Sequence, residues 1–249
     1  MRLTVVGCSG SFPGPDSPSS CYLVEAEGFR LLLDLGNGAL GALQRHCGLY
    51  DVDAVFLSHL HADHCLDLCS YTVARLYAAG GARPRIPVYG PPGTADRMTR
   101  AYSREPGPEV AAAFDFVTLT EGVREIGPFR FTTRRVSHPV ETFGARLEQG
   151  GATLTYSADT AESPALIELA RDAGLLLCEA SFLDEPGLPP GLHLTAGQAA
   201  AHAAAAGVDR LVLTHLVPWN DRERSRAEAA GRFTGPIELA AAGQIFDLS

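Results

Sequence analysis

Short apolar runs bounded by Gly, Pro, Ser or Asp dominate the first half of the chain, a pattern typical of β-strands. The predicted strands in this half are Arg2–Val6, Cys21–Glu25, Arg30–Leu35 and Ala54–Ser58. Apolar residues at helical spacing lie between and after them. The predicted helices are Ala39–His46, Cys65–Ala79 and Thr94–Ser103. The segments Gly80–Pro92 and Pro106–Pro108 show neither pattern and are predicted to be surface loops.

The second half shows the same mixture of strand and helix patterns. Its predicted strands are Phe114–Leu119, Phe129–Val136, Phe143–Leu147, Thr153–Tyr156, Leu175–Cys178, Leu211–Thr214 and Gln244–Leu248. Its predicted helices are Pro164–Ala173, Thr195–Ala206 and Arg222–Arg232. Because strands cluster instead of alternating strictly with helices, we expect a sandwich of mostly antiparallel sheets with helices outside. No linker-like segment divides the chain, and we predict one domain over residues 1–249.

Composition and charge narrow the class of protein. The chain has 249 residues, of which 46% are hydrophobic and 20% charged, as is usual for soluble globular proteins. Its 20 basic residues are all Arg, and 29 acidic residues bring the formal net charge to −9. A chain of this charge lacks the basic surface that broad binding to nucleic acid or anionic lipid requires. The absence of Lys excludes P-loop and Schiff-base mechanisms.

The lengths of the apolar runs and the spacing of the cysteines bear on the cellular location of the protein. No apolar run reaches the roughly 18 to 20 residues that a membrane span requires, so we expect no membrane partner. The six cysteines are scattered without a CxxC pair. Such usage suits reduced thiols better than a disulfide framework. We therefore expect a cytoplasmic protein.

The segment Leu57–His64 is the most informative in the chain, because three His and one Asp occupy its last six positions. In an extended segment, residues i and i+2 point the same way, so His59 and His61 can bind one cation together. Asp63 and His64 follow in the turn, where they can bind a second cation. Imidazole and carboxylate groups are ligands of Zn²⁺, Mn²⁺ and Fe²⁺. The segment therefore predicts a metal site at the end of a strand.

Three further polar residues, His138, Asp159 and His215, stand at the ends of later predicted strands. Taken singly, each is weak evidence, because a lone His after a strand is more often a hydrogen-bonded structural residue. Together with the first four they supply enough ligands for two coordination spheres. The predicted metal ligands are His59, His61, Asp63, His64, His138, Asp159 and His215. His46 and His202 lie on predicted helices, and we assign them no function.

The HxHxDH segment, followed by SHP, SADT, HLT and THL, resembles the metallo-β-lactamase fold superfamily, in particular its branch similar to the tRNA 3′-processing endonuclease RNase Z. The resemblance extends from Gly7 to His215. It implies an α+β fold, a four-layer αβ/βα sandwich with two divalent metals at one edge. The first metal would be held by His59, His61 and His138, the second by Asp63, His64 and His215, and Asp159 would bridge them. Zn²⁺ is the favoured ion, with Mn²⁺ or Fe²⁺ as alternatives.

The sequence departs from this family at Ala158, where its members usually have Gly before the bridging Asp. A methyl group is tolerated there if the backbone φ is negative. We expect the departure to affect the local turn rather than the ligand Asp159.

Two further segments resemble the RNase Z-like branch. Cys178–Phe182 is similar to its Glu-Ala-Thr-Phe segment, and His193–Thr195 to its His-Ser-Thr segment. In the family this His, supported by the Glu, lies beside the scissile phosphate, where it can donate a hydrogen bond or a proton. The resemblance therefore implies catalytic roles for His193 and Glu179, and we predict one for Asp63 as well. These segments favour phosphoester over amide or thioester hydrolysis.

The interval between His138 and Asp159 bears on the substrate. RNase Z carries its tRNA-binding arm there, but here the interval is 159 − 138 = 21 residues, enough only for a pair of strands. Without the arm, and with a net charge of −9, nucleic acid is not the expected partner. Relatives without the arm include small-molecule phosphodiesterases.

We therefore expect a dinuclear metal-dependent phosphodiesterase acting on a small phosphodiester, with a 3′,5′-cyclic nucleotide as the first candidate. Two alternatives stay open: an RNase Z-like ribonuclease acting on tRNA 3′ ends, and a non-catalytic metal-binding regulatory protein. The resemblance also admits a homodimer, by analogy alone.

Overall fold

The computed structural model describes residues Met1–Ser249, which form fourteen strands and eight helices. The strands are β1 (Arg2–Gly7), β2 (Cys21–Ala26), β3 (Phe29–Leu33), β4 (Ala54–Phe56), β5 (Ile86–Gly90), β6 (Phe114–Thr118), β7 (Gly122–Ile126), β8 (Phe129–Arg135), β9 (Phe143–Gln149), β10 (Ala152–Tyr156), β11 (Leu175–Glu179), β12 (Leu211–Thr214), β13 (Ile237–Leu239) and β14 (Ile245–Asp247). The helices are α1 (Ala39–Leu43), α2 (Ala62–Cys65), α3 (Asp67–Leu76), α4 (Thr94–Tyr102), α5 (Glu109–Ala113), α6 (Pro164–Leu169), α7 (Ala196–Ala206) and α8 (Arg222–Ala230). None of these helices combines the length and the apolar character needed to cross a membrane.

Two seven-stranded sheets pack face to face. The first has the order β14-β1-β2-β3-β4-β5-β6, and the second has the order β13-β12-β11-β10-β9-β8-β7. A core of 24 buried residues lies between them, where Phe56 of the first sheet packs on Phe131 of the second at 5.1 Å between ring centroids. Strand β3 shows how alternation builds the layers: Leu31 and Leu33 face this core, whereas Leu32 faces the outer helices.

Helices cover the outer face of each sheet and complete the expected four-layer αβ/βα sandwich. α1, α3, α4 and α5 bury apolar residues against the first sheet, while α6, α7 and α8 do so against the second. α7 begins at Thr195, whose side chain accepts from the Gln198 amide while the Gln198 side chain accepts from the Thr195 amide. It ends at Gly207, whose φ of 69° is left-handed. The predicted start and end of this helix are confirmed.

The sheets are more evenly mixed than expected. Six strand pairs are parallel and six are antiparallel, so the predicted excess of antiparallel pairs is not found. The parallel pairs lie within β3–β6 and β10–β13, where most connections pass through helices, as parallel neighbours require.

Several elements differ from the predictions. The segment Gly80–Pro92, predicted to be a loop, contains β5, which pairs with β4 and β6. Pro87 and Gly90 give this central strand the composition of a loop. The predicted helix Cys65–Ala79 instead begins at Ala62, is divided at Leu66 into α2 and α3, and ends at Leu76. Asp63 and His64, expected in a turn before the helix, therefore lie within α2. Strands β7 and β13 and helix α5 were not predicted, because each is only three to five residues long.

The carboxyl ends of several strands meet at one edge of the sandwich. β3 and β4 run parallel in the first sheet, and β10, β11 and β12 run parallel in the second. β8 has the same direction as β10, because both are antiparallel to β9. The segments that follow these strands carry the predicted metal ligands. The fold therefore brings residues that are distant in sequence to a single edge.

Candidate metal centre

Four of the predicted ligands gather into a first group: His59, His61, His138 and Asp159. Nδ1 of His61 lies 3.1 Å from Nε2 of His59 and 3.3 Å from Nε2 of His138. Oδ2 of Asp159 lies 3.7 Å from Nε2 of His59. Ligand atoms around a tetrahedral zinc ion are separated by about 3.3 Å, given bonds of about 2.0–2.1 Å. The spacing of this group therefore suits one cation.

A second group consists of Asp63, His64, His215 and the same Asp159. Nε2 of His64 lies 3.3 Å from Nε2 of His215, from Oδ2 of Asp63 and from Oδ1 of Asp159. Nε2 of His215 lies 3.1 Å from Oδ2 of Asp63. Asp159 presents Oδ2 to the first group and Oδ1 to the second. It therefore stands where a bridging carboxylate would be needed.

The chemistry of these residues fits two divalent cations. Asp159 is buried, and its Oδ1 has no hydrogen-bond partner in the chain. A buried ionised oxygen without a partner is costly unless a cation compensates its charge. Five imidazoles and two carboxylates make up the two groups. This donor set suits Zn²⁺, Mn²⁺ and Fe²⁺ alike.

The protonation states of five of the seven ligands favour metal binding. Burial lowers the pKa of His59, His61 and His138, which keeps these imidazoles neutral, as ligation requires. Burial by itself would raise the pKa of Asp63 and Asp159. For Asp63 the hydrogen bonds and charges of His215 and His64 outweigh it, and for Asp159 the charges of the same two histidines do so, which holds both pKa values well below the usual range of Asp. Both carboxylates are therefore ionised at neutral pH. The exception is His64, where burial lowers the pKa but the charges of Asp159 and Asp34 outweigh it and leave the pKa raised, so this imidazole must release a proton when a cation binds.

Asp34 orients the second group, although the sequence analysis assigned it no role. It is fully buried after β3, and Oδ2 accepts from Nδ1 of His64 at 2.7 Å and from the Tyr156 hydroxyl at 2.7 Å. Oδ1 accepts from the backbone amide of Ser58 at 2.7 Å. Its signals in the sequence are its place as a lone acidic residue inside the apolar run Leu31–Leu35 and the segment Leu33–Gly36, which is part of the stretch that carries the family resemblance.

Two other ligands have similar supports. Nδ1 of His138 donates to the backbone carbonyl of Leu192 at 2.8 Å. Nδ1 of His215 lies 2.7 Å from the Ser181 hydroxyl. Such contacts fix the orientation of an imidazole and the nitrogen it offers to a metal. These partners could not be predicted, because each comes from a different loop.

His193 and Glu179 lie beside the two groups. Oε1 of Glu179, buried at the end of β11, accepts from Nδ1 of His193 at 2.8 Å and from the Thr160 amide at 2.8 Å. The ring centroid of His193 lies 5.4 Å from that of His215 and 5.5 Å from that of His138. Burial lowers the pKa of His193, but the hydrogen bond and charge of Glu179 outweigh it and leave the pKa raised. The pair thus presents a positioned proton donor next to both groups.

The turn before Asp159 differs from the expectation. Ala158 has a φ of 56°, so the condition of negative φ under which its methyl group is tolerated without strain is not met. A left-handed Ala costs roughly 1–2 kcal/mol. The residue is fully buried in the central core, which partly offsets that cost. Ala158 therefore adopts the left-handed turn that Gly favours, and Asp159 still reaches the bridging position.

Comparison with known proteins gives consistent matches. Residues 30–216 match the family described as β-lactamase superfamily domain. The probable metallo-hydrolase YhfI of Bacillus subtilis is 30% identical over 257 residues, which cover 99% of this chain and all of that protein. Its crystal structure, titled a metallo-β-lactamase fold protein, matches with a TM-score of 0.86 at 28% identity over 98% of each chain. A ribonuclease Z of Mycobacterium marinum is 33% identical over 266 residues, covering 96% of this chain and 95% of that one.

Proposed function

The chain belongs to the β-lactamase superfamily and is a metallo-hydrolase of the metallo-β-lactamase fold, and from this premise we propose that it is a dinuclear phosphodiesterase acting on small phosphodiesters. A 3′,5′-cyclic nucleotide is the first candidate substrate. The observation that carries the proposal is the hydrogen-bonded pair of Glu179 and His193 next to the bridging Asp159. Amide or thioester hydrolysis at two metals has no need of this pair, whereas phosphodiester cleavage needs donors to the phosphoryl oxygens.

Each residue has a defined part in this proposal. Two divalent cations, Zn²⁺ first among them, supply positive charge for a phosphoryl group and lower the pKa of water when bound. Glu179 accepts the Nδ1 hydrogen of His193, which fixes the ring and leaves Nε2 to donate to a phosphoryl or leaving oxygen. Asp63 would hold the second cation and, as an ionised carboxylate facing the centre, could accept a hydrogen bond from a water molecule. The proposed holders of the cations are His59, His61 and His138 for the first, Asp63, His64 and His215 for the second, and Asp159 for both.

The interval between His138 and Asp159 supports a small substrate. It forms the predicted pair of strands, β9 and β10, in which Gln149 pairs with Ala152 across a turn of Gly150 and Gly151. Both glycines have positive φ, as a tight hairpin turn requires. No protruding arm occupies this interval, and the net charge of −9 gives little attraction for a long polyanion. The six free cysteines favour a cytoplasmic location, which we propose as well.

Two alternatives remain to be tested. The similarity to the ribonuclease Z of Mycobacterium marinum favours cleavage at tRNA 3′ ends. A non-catalytic metal-binding regulatory protein is the other, and the seven convergent ligands speak against it, because decayed sites usually lose ligands.

The test compares substrates under identical conditions. The metal-loaded protein should hydrolyse cyclic AMP and bis-(p-nitrophenyl) phosphate, and process precursor tRNA with a lower kcat/KM. A higher kcat/KM for precursor tRNA would establish the ribonuclease instead. No turnover of any ester by protein carrying its metals would establish the regulatory alternative.

A variant pair tests the role of His193. His193→Ala should lower kcat by about 10²- to 10⁴-fold, the usual contribution of a positioned proton donor, while metal content stays that of the wild type. His46→Ala, in the turn that follows α1 and outside the site, is the matched control and should keep full activity. Unchanged turnover of His193→Ala would remove its catalytic role. Loss of metal in the same variant would make His193 a ligand.

A further inference from the structure

An exposed aromatic pair stands near the metal centre. Trp219 is 74% exposed, more than any other large hydrophobic side chain, and it is the single Trp of the protein. Its ring centroid lies 5.1 Å from that of Phe12, at an interplanar angle of 35°, and Phe12 is 38% exposed. Two adjoining aromatic rings open to solvent form an apolar surface of the kind that marks interaction sites.

Both rings belong to loops that contact His215. Trp219 follows His215 by four residues, and Phe12 follows Ser11, whose backbone amide lies 3.3 Å from Nε2 of His215. Gly10 packs so closely that a Cβ there would collide with the carbonyl oxygen of His215. Phe12 is therefore one residue from the amide that contacts Nε2 of His215, and Trp219 packs on Phe12. A small molecule bound at the second group of ligands would approach the two loops that carry this pair.

Hydrogen bonds hold the two loops in position. The Ser9 hydroxyl donates to the backbone carbonyl of Phe12 at 2.7 Å. The side-chain amide of Asn220 donates to the backbone carbonyl of Ser181 at 2.7 Å, and the hydroxyl of the same Ser181 contacts His215. A surface that is fixed before binding loses little conformational entropy when a ligand arrives. The exposed rings are thus a preorganised surface, tied to the residue that supports a metal ligand.

We propose that Phe12 and Trp219 form a stacking platform for the planar base of a nucleotide whose phosphate lies at the metal centre; this rests on the proposed phosphodiesterase function. Bases stack on aromatic side chains whatever their identity, because every base has a π-face. The pair itself offers flat apolar surface and no carboxylate or amide side chain to read base edges. The platform therefore selects nucleotides over esters without a base, and does not discriminate among bases.

Fluorescence tests the contact directly, because all tryptophan emission comes from Trp219. The metal-loaded protein is titrated with 5′-AMP and, separately, with ribose 5-phosphate. AMP should quench the emission in a saturable manner, whereas ribose 5-phosphate should inhibit turnover without quenching. The platform is overturned if AMP and ribose 5-phosphate quench the emission equally. It is also overturned if AMP causes no quenching at concentrations that inhibit turnover. A blue-shifted emission that depends on protein concentration and not on AMP would also overturn it, in favour of a second copy of the chain.

Kinetics supply a second readout. Trp219→Ala should raise KM for cyclic AMP by about 5- to 150-fold, corresponding to the usual strength of base stacking, and should change kcat much less. Trp219→Phe keeps a ring and should restore most of the affinity. Tyr77→Ala removes an equally exposed aromatic ring at the far end of α3 and is the matched control, expected to behave as wild type.

The two proposals fail in different ways. If the protein hydrolyses cyclic AMP and Trp219→Ala has the same KM as Tyr77→Ala, the proposed platform is refuted but the proposed phosphodiesterase function is not. AMP quenching in a protein that hydrolyses no phosphodiester removes the phosphodiesterase and supports a nucleotide-binding surface.

Discussion

The substitution Asp34→Asn tests how far the metal centre depends on a residue that touches no metal. Asp34 is fully buried and accepts four hydrogen bonds. Oδ1 accepts from the Ser58 amide at 2.7 Å. Oδ2 accepts from the Ser58 hydroxyl at 2.8 Å, from His64 Nδ1 at 2.7 Å and from the Tyr156 hydroxyl at 2.7 Å. Asn has the same shape, but it carries no charge, and one end of its amide donates instead of accepting.

The expected destabilisation follows from this geometry. The less costly orientation of the new amide places its NH₂ group opposite the Ser58 amide, because the other orientation would face three donors. Two buried donors then oppose each other, which costs about 1–3 kcal/mol. The three remaining bonds lose the assistance of a charge, at about 1 kcal/mol each. The free energy of unfolding should therefore fall by roughly 4–6 kcal/mol, and metal affinity by about 10- to 100-fold.

The measurement combines denaturant unfolding with metal analysis after dialysis, on the same metal-loaded preparations. Asp247→Asn is the control: Asp247 is an exposed residue paired with Arg2, and its loss should cost under about 1 kcal/mol. Asp34→Asn protein that unfolds within about 1 kcal/mol of wild type and retains its metal equally well would refute the argument that Asp34 supports His64.

Further predictions concern the metal content and the turns of the site. Metal analysis of active, fully loaded protein should give two equivalents per chain, about 3.5–4 Å apart in a crystal structure; one equivalent would contradict the two groups. Ala158→Gly should change the free energy of unfolding by less than about 1 kcal/mol, because relief of the left-handed strain offsets the lost burial. Gly10→Ala should displace His215 and lower both Tm and bound metal, so a variant with normal metal content would contradict the close packing. Glu179→Gln should lower kcat less than His193→Ala and keep its metal; an equal loss would mean that Glu179 does more than orient the ring.

The sequence predicted well where chemistry and local geometry coincide. The ligands between His59 and His64 are close in the chain, and the i, i+2 spacing of an extended segment was enough to predict that His59 and His61 lie side by side, although β4 itself ends at Phe56. Most strands were predicted within one or two residues, because buried strands are short apolar runs with polar ends. The four-layer fold was predicted from the resemblance. In the structure, α1 packs on the outer face of the first sheet and α7 on the outer face of the second.

What could not be predicted depends on contacts between distant residues. Asp34 meets His64 across 30 positions and Tyr156 across 122, and nothing in the local pattern distinguishes such a residue from a strand terminator. The φ of Ala158 follows from the turn that the surrounding strands impose, against the residue's own preference. Strand β5 pairs with both β4 and β6 although it contains Pro87, which has no amide hydrogen to donate. Its strand conformation depends on pairing with these two neighbours, which the local sequence pattern does not reveal.

The sharing of the metal ligands between the two sheets has a consequence for how the protein persists in a cell. The proposed ligands His61 and His138 are 77 positions apart, and Asp63 and His215 are 152 apart. A bound cation therefore closes long loops, as a disulfide does, and limits the freedom of the unfolded chain. Unlike a disulfide, this cross-link is reversible and stabilises by mass action, in proportion to the logarithm of free metal concentration. When metal is scarce, the unfolded state would be more populated and more of the protein would be open to proteases. Both the abundance and the activity of the enzyme would then depend on the metal supply.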